Sequence, residues 1–285
     1  MNKSKPARSG GSGEYAISRP PTTKTILALR RAGVIDRLSI TMKSLLTVRQ
    51  AKRVASLPGV KRIWLRSAVT RGALSRLIRI PHLEELDLFS PRGPGRLGGF
   101  EHAESLVVIR AYFMSDADLR AISRAPVLRS LMAHHVPVTA TTLATLLRMP
   151  NLAELDLEGA PIDDTMAEKL ARASSLTKLW LASTHLTGRG LRSLSAMRNL
   201  SSLDLWETGI TVADLKWLGK FPRLRELSIG GRPWHDPHAG HQLAAFLATL
   251  PALNSLWLDG VSLDEHQLAA LKARHVSVRF NPPEE

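Results

Sequence analysis

The chain has 285 residues, 44% hydrophobic and 22% charged, which excludes a wholly disordered tail and a membrane bundle and accommodates one large or two ordinary domains. With no cysteine, disulfides, thiolate nucleophiles and cysteine-ligated metals are excluded. The net charge of +14 is uneven, with +10 in residues 1–53, +5 in 54–100 and −1 in 101–285, so a cationic stripe along the whole molecule is not supported.

Residues 1–24 mix Lys and Arg with Ser, Gly and Pro and lack the apolar core of a cleavable signal, so they read as a flexible basic arm. Residues 25–285 read as a single repeat domain that begins with a capping helix around residues 26–32. From residue 35 the pattern L-x-x-L-x-L recurs. Loose copies at Ile35-Leu38-Ile40, Val60-Ile63-Leu65 and Leu106-Ile109-Ala111 accompany tighter ones beginning at Leu83, Leu128, Leu152, Leu176, Leu200, Leu224 and Leu253. Ten copies at about 24 residues define the architecture.

Each copy changes its period internally. In residues 203–224, Leu203 and Leu205 alternate as in a strand, whereas Leu215 and Leu218 have helical spacing. Thr211 stands at the helix N-cap, and Thr70, Ser115, Thr139, Asp163, Thr187 and Asp264 hold the same place elsewhere. Prolines 58, 81, 126, 150, 222 and 251 stop the helices, because each disfavours helical geometry in its predecessor. Two copies depart from this rhythm. Pro and Gly after Leu88 predict an irregular return, and about five extra residues after Ile229 predict a loop ahead of a helix opening at Asp236-Pro237. The last strand is expected around residues 276–280.

These motifs resemble those of leucine-rich repeat proteins over roughly residues 33–280. The resemblance implies an α/β solenoid, a horseshoe with a parallel concave sheet and helical or irregular convex segments. The position often held by Asn in that family is here Met114, Val136, Ala160, Thr184, Thr208 and Val261, so no Asn ladder forms. The short, threonine-bearing turns look most like those of bacterial leucine-rich repeat proteins.

Strand alternation points the residues between and after the leucines outward. Those columns nominate Trp64, Arg66, Phe89, Arg110, Tyr112, Met132, His134, Asp156, Glu158, Trp180, Asp204, Trp206, Trp257 and Asp259 as partner contacts. Four of the six tryptophans fall there, as expected of recognition hot spots; stacking that only stabilises the sheet is the plainer alternative. Trp217 reads as convex packing and Trp234 as a rim contact. The outward positions are acidic from residue 152 onward and basic near Arg37, Lys61, Arg62 and Arg66, a polarity suited to a protein partner.

No catalytic motif stands out. Gly93, Gly95 and Gly98 match a dinucleotide fingerprint, but Pro91 and Pro94 spoil its context. His235, Asp236, His238 and His241 have metal-ligand spacing and read as a polar surface loop. The expectation is a non-enzymatic, monomeric, cytoplasmic protein-binding scaffold without cofactor, metal or membrane span. Two alternatives are an exported bacterial effector, secreted without a cleavable signal peptide, and a nucleic-acid or anionic-surface binder acting through basic residues 1–80.

Overall fold

The computed structural model describes residues 7–8, 13–33, 35–89, 97–231, 234, 239–247, 250–261 and 263–281. The chain divides into two compact units, Met1–Ala133 with Arg148–Leu152, and His134–Leu147 with Ala153–Glu285.

In the first unit the strands are β1 (Ala7–Arg8), β2 (Glu14–Ile17), β3 (Arg37–Ile40), β4 (Arg62–Leu65), β5 (Glu85–Phe89), β6 (Val108–Tyr112) and β7 (Ser130–His134), whose last residue belongs to the second unit. β1 is antiparallel to β2, and β2 through β6 pair in parallel, each with the next in sequence. Their returns are α1 (Thr23–Arg31), α2 (Val48–Val54), α3 (Arg71–Leu77), a 3-10 turn at Phe100–His102 and α4 (Asp116–Ile122). That single turn follows the Pro/Gly stretch, as its composition predicts, although residues 90–96 lie outside the described residues.

The second unit carries α5 (Ala140–Leu146), β8 (Glu154–Asp156), α6 (Asp164–Leu170), β9 (Lys178–Trp180), α7 (Gly188–Leu194) and β10 (Ser202–Asp204). A 3-10 helix at Val212–Lys220, β11 (Glu226–Gly230), α8 (Ala239–Leu247), β12 (Ser255–Asp259), α9 (Glu265–Ala273) and β13 (Ser277–Asn281) follow. β8 through β13 are parallel and in register, so that Lys178 lies opposite Ser202 and Ser202 opposite Glu226.

The sequence signals act as the chemistry demands. Strand leucines such as Leu86, Leu155, Leu179 and Leu256 are fully buried; each is worth roughly 1.5–3 kcal/mol of transfer free energy. N-caps Thr70, Ser115, Thr139, Asp163 and Asp264 are extended and accept the backbone N–H three residues on. Removing such a cap costs about 1 kcal/mol. Where an Asn ladder is missing, buried Thr184 and Thr208 donate to the carbonyls of Leu181 and Leu205, each at 2.7 Å.

A second periodic device joins the repeats. Two residues beyond the last strand leucine the backbone turns left-handed, at Phe113, His135, Gly159, Ser183, Glu207, Gly231 and Gly260. In the second unit this aims the N–H at the following repeat: His135 to Glu158, Gly159 to Ala182, Ser183 to Trp206, Glu207 to Gly230, and Gly231 to Asp259.

Two expectations change. The segment read as an arm contributes β2, with Tyr15 and Ile17 buried, because Arg37 holds Glu14 at 2.6 Å and the β3 backbone extends the sheet there. The return over Val212–Lys220 is helical behind its Thr211 cap, as its spacing predicts, and takes the 3-10 form with Leu215 and Leu218 buried. Trp234 is fully buried instead of at a rim, its indole N–H without a partner among the described residues. Asp236-Pro237 and most of the histidine cluster lie outside the described residues; His241 stands on α8 beside Gln267 of α9, 3.1 Å away.

Candidate functional site

The outward columns form one surface in each unit. In the first, Trp64, Arg66, Phe89 and Tyr112 line a groove of about 300 Å³ with Leu65 and Asp87. Phe89 meets Tyr112 at 5.6 Å and Phe113 edge-on at 5.8 Å, forming an aromatic cluster in which Phe89 and Phe113 are exposed. Arg66 approaches the Phe89 ring at 5.8 Å, and Arg37 lies 4.5 Å over Trp64.

Much of the charge on this surface is committed internally. Arg110 donates to Glu85 at 3.2 Å and to Asp87 at 2.9 Å, Arg37 pairs with Glu14, and Arg62 with Asp36. Burial pushes the Asp87 carboxyl above its ordinary range despite the Arg110 bond, and Arg110 is held protonated because the two carboxylates outweigh its own desolvation. Arg110 thus ties β5 to β6, and Met132 stands half-buried on β7.

In the second unit Glu158, Trp180, Asp204, Trp206 and Trp257 come together around a groove of about 440 Å³. Ser202, Glu226 and Ser255 form one row across it, and Ser228 stands between Asp204 and Trp257 in the next. Strand register explains the arrangement: Trp180 on β9 and Trp257 on β12 flank Asp204 and Ser228 on the two strands between. At ~4.8 Å per strand the two tryptophan-bearing strands stand about 14 Å apart, with small residues between them.

Trp206 is fixed at both ends, its indole N–H donating to Asp259 at 2.7 Å and its backbone N–H to Asp204 at 2.9 Å. Burial pushes the Asp204 carboxyl upward; the Trp206 N–H and Ser228 hydroxyl oppose that shift, while the charges of Asp156 and Glu158 add to it.

Beside the groove, His134 Nε2 lies 2.7 Å from Asp156 and Nδ1 3.6 Å from Glu158. Burial disfavours the imidazolium, but the Asp156 hydrogen bond and both carboxylate charges win and raise its pKa above the ordinary value. The three side chains have metal-ligand character and lie within 4.8 Å of one another. The donor set fits an ion poorly: opposite edges of the imidazole face the two carboxylates, and the other Asp156 oxygen accepts the Glu158 N–H at 3.0 Å. Asp156 is buried and joins the His134 ring to the Glu158 backbone.

Of the nominated residues, Arg110, His134, Asp156, Asp204, Trp206 and Asp259 hydrogen-bond within the fold. Glu226, the groove serines and Phe113 border these surfaces without having been nominated from the sequence. Register across β9–β12 could have found the first two, whereas Phe113 sits one place beyond the strand columns. No helix among the described residues is long and apolar enough to cross a membrane.

No protein-family model matches the sequence, nor does any curated protein. Among solved structures, an internalin (inlF) of Listeria monocytogenes is similar over 95% of this chain and 82% of its own, at 16% identity and a TM-score of 0.51. Internalin C2 of the same species covers 65% of this chain and 76% of its own, at 22% identity and a TM-score of 0.45. The first likeness is one of fold, and it agrees with the strand–return period: the chain has the α/β leucine-rich repeat solenoid fold.

Proposed function

We propose that the protein is a non-enzymatic interaction scaffold that binds a protein partner on the outward face of its parallel sheet. The observation that carries this reading is the groove of the second unit, where Trp180, Trp206 and Trp257 share the lining with Ser202, Ser228 and Ser255. Trp257 is 40% exposed, and rings so placed lose large water-accessible area in a complex at little entropic cost. The fold likeness to an internalin is compatible with such a role.

The test compares capture from source-cell lysate by wild type and by the Trp180→Ala/Trp206→Ala double variant, read by mass spectrometry. A partner retained by wild type and lost with the variant, whose circular dichroism is unchanged, supports the reading. Equal capture by both refutes it.

A second reading has its own observation. Helices α1, α2 and α3 carry Lys24, Arg30, Arg31, Arg49, Lys52, Arg53, Arg71 and Arg76 and no acidic residue. Such a face suits the phosphates of a nucleic acid. Arg49→Glu/Lys52→Glu would then flatten the salt dependence of DNA binding, whereas an unchanged slope removes this reading.

A further inference from the structure

We propose that the groove between Trp180 and Trp257 receives an arginine side chain of the bound protein. This deepens the scaffold reading and rests on it. The lining combines three indoles, three serines and the carboxylates Glu158, Asp204 and Glu226, with no Lys or Arg. Glu226 is exposed and makes no ion pair among the described residues. Asp204 is only partly exposed, and its carboxyl accepts hydrogen bonds from the Trp206 N–H and the Ser228 hydroxyl. Glu226 is therefore the unpaired carboxylate of the groove, whereas Glu158 faces His134 and the walls have Lys178 and Arg279 beside them.

Indole faces with carboxylates beneath them select cations, because the ring quadrupole and the carboxylates both attract positive charge. Both walls already show this attraction within the fold: Lys178 Nζ lies 6.0 Å from the Trp180 ring, and the Arg279 guanidinium 5.9 Å from that of Trp257. Lys178 is held there by Glu154 at 2.9 Å. Guanidinium fits the groove better than ammonium. Its plane stacks on an indole while its edge donates two parallel hydrogen bonds to a carboxylate. Asp259 holds the Trp206 indole N–H at 2.7 Å and so fixes that ring as part of the lining of a groove of about 440 Å³.

The test uses the full chain and blocked tetra-arginine, tetra-lysine and tetra-glutamate peptides, followed by the indole N–H signals in NMR spectra. Tetra-arginine is expected to shift Trp180 and Trp257 and to bind about tenfold more tightly than tetra-lysine, with tetra-glutamate silent. Glu226→Gln should weaken tetra-arginine about fivefold, while Glu265→Gln on α9, outside the groove, should leave it unchanged. Equal weakening by both variants would mean attraction by net charge alone and overturn the proposal, as would tetra-lysine binding as tightly. Partner capture separates the two levels. If Trp180→Ala/Trp206→Ala abolishes capture but Glu226→Lys does not and tetra-arginine shifts nothing, the cationic assignment fails and the scaffold reading stands. If the tryptophan pair proves dispensable for capture, the scaffold reading fails as well.

Discussion

Replacing Gly159 by alanine tests the left-handed turn that joins the repeats. Gly159 has φ +66°, and a β-carbon added there would run into Nδ1 of His135, the corresponding residue of the preceding repeat. The left-handed conformation costs an L-residue ~1 kcal/mol or more, and the stiffer unfolded chain returns about 0.5. Displacing that exposed ring from its rotamer adds ~0.5–1.5 kcal/mol. Gly159→Ala should therefore destabilise the fold by about 1–2 kcal/mol, but by only about 0.5 in a His135→Ala background, where the obstacle is gone. Urea unfolding of the four proteins, with unchanged m-values, gives the coupling directly. A coupling below about 0.5 kcal/mol would show that the two turns do not press on each other and would refute the argument.

Thr184→Val should cost about 1–2 kcal/mol in the same assay, because it leaves the buried Leu181 carbonyl short of its hydroxyl donor. Leu203→Ala, which empties a 1%-exposed core position, should cost roughly 2–5 kcal/mol. The imidazole of His134 should titrate above its ordinary value of 6.5 in an NMR pH series, and Asp156→Asn should bring the midpoint down. Because its pKa is raised in the folded state, His134 stabilises the fold fully below the unfolded value near 6.5 and loses that contribution as pH rises through the folded pKa. Denaturation midpoints that increase over that interval in wild type relative to His134→Ala would contradict this sign.

The solenoid was legible because its determinants are local and periodic. Leucine spacing fixes which strand faces are buried, Thr, Ser and Asp caps start the helices, and prolines end them. The outward columns could be read for the same reason, and Trp64, Trp180, Trp206 and Trp257 all lie where alternation places them. Interactions across strands were not legible, since a one-dimensional pattern does not say which charge meets which. The Arg110 clamp and the His134–Asp156 bond depend on pairing register, and the Trp206–Asp259 bond reaches past the intervening β11 strand. The left-handed turns escaped notice because Phe113, His135, Ser183 and Glu207 lack the glycine that advertises such a conformation. Strand β2 was hidden by its company: two buried apolar residues are too few to stand out from the Ser, Gly and Pro around them.

The register of the second unit also bears on how this protein is made. Ser202 meets Lys178 and Glu226 meets Ser202, so each of these strands finds its partner 24 residues back along the chain. Few sheets are so undemanding of distant sequence, and short separations of this kind favour rapid folding. As the growing polypeptide leaves the ribosome, each newly released strand can dock on the one just completed, and its leucines are covered before the next pair emerges. Synthesis from N- to C-terminus would thus keep only the most recent strand edge and its apolar side chains open to solvent at any moment.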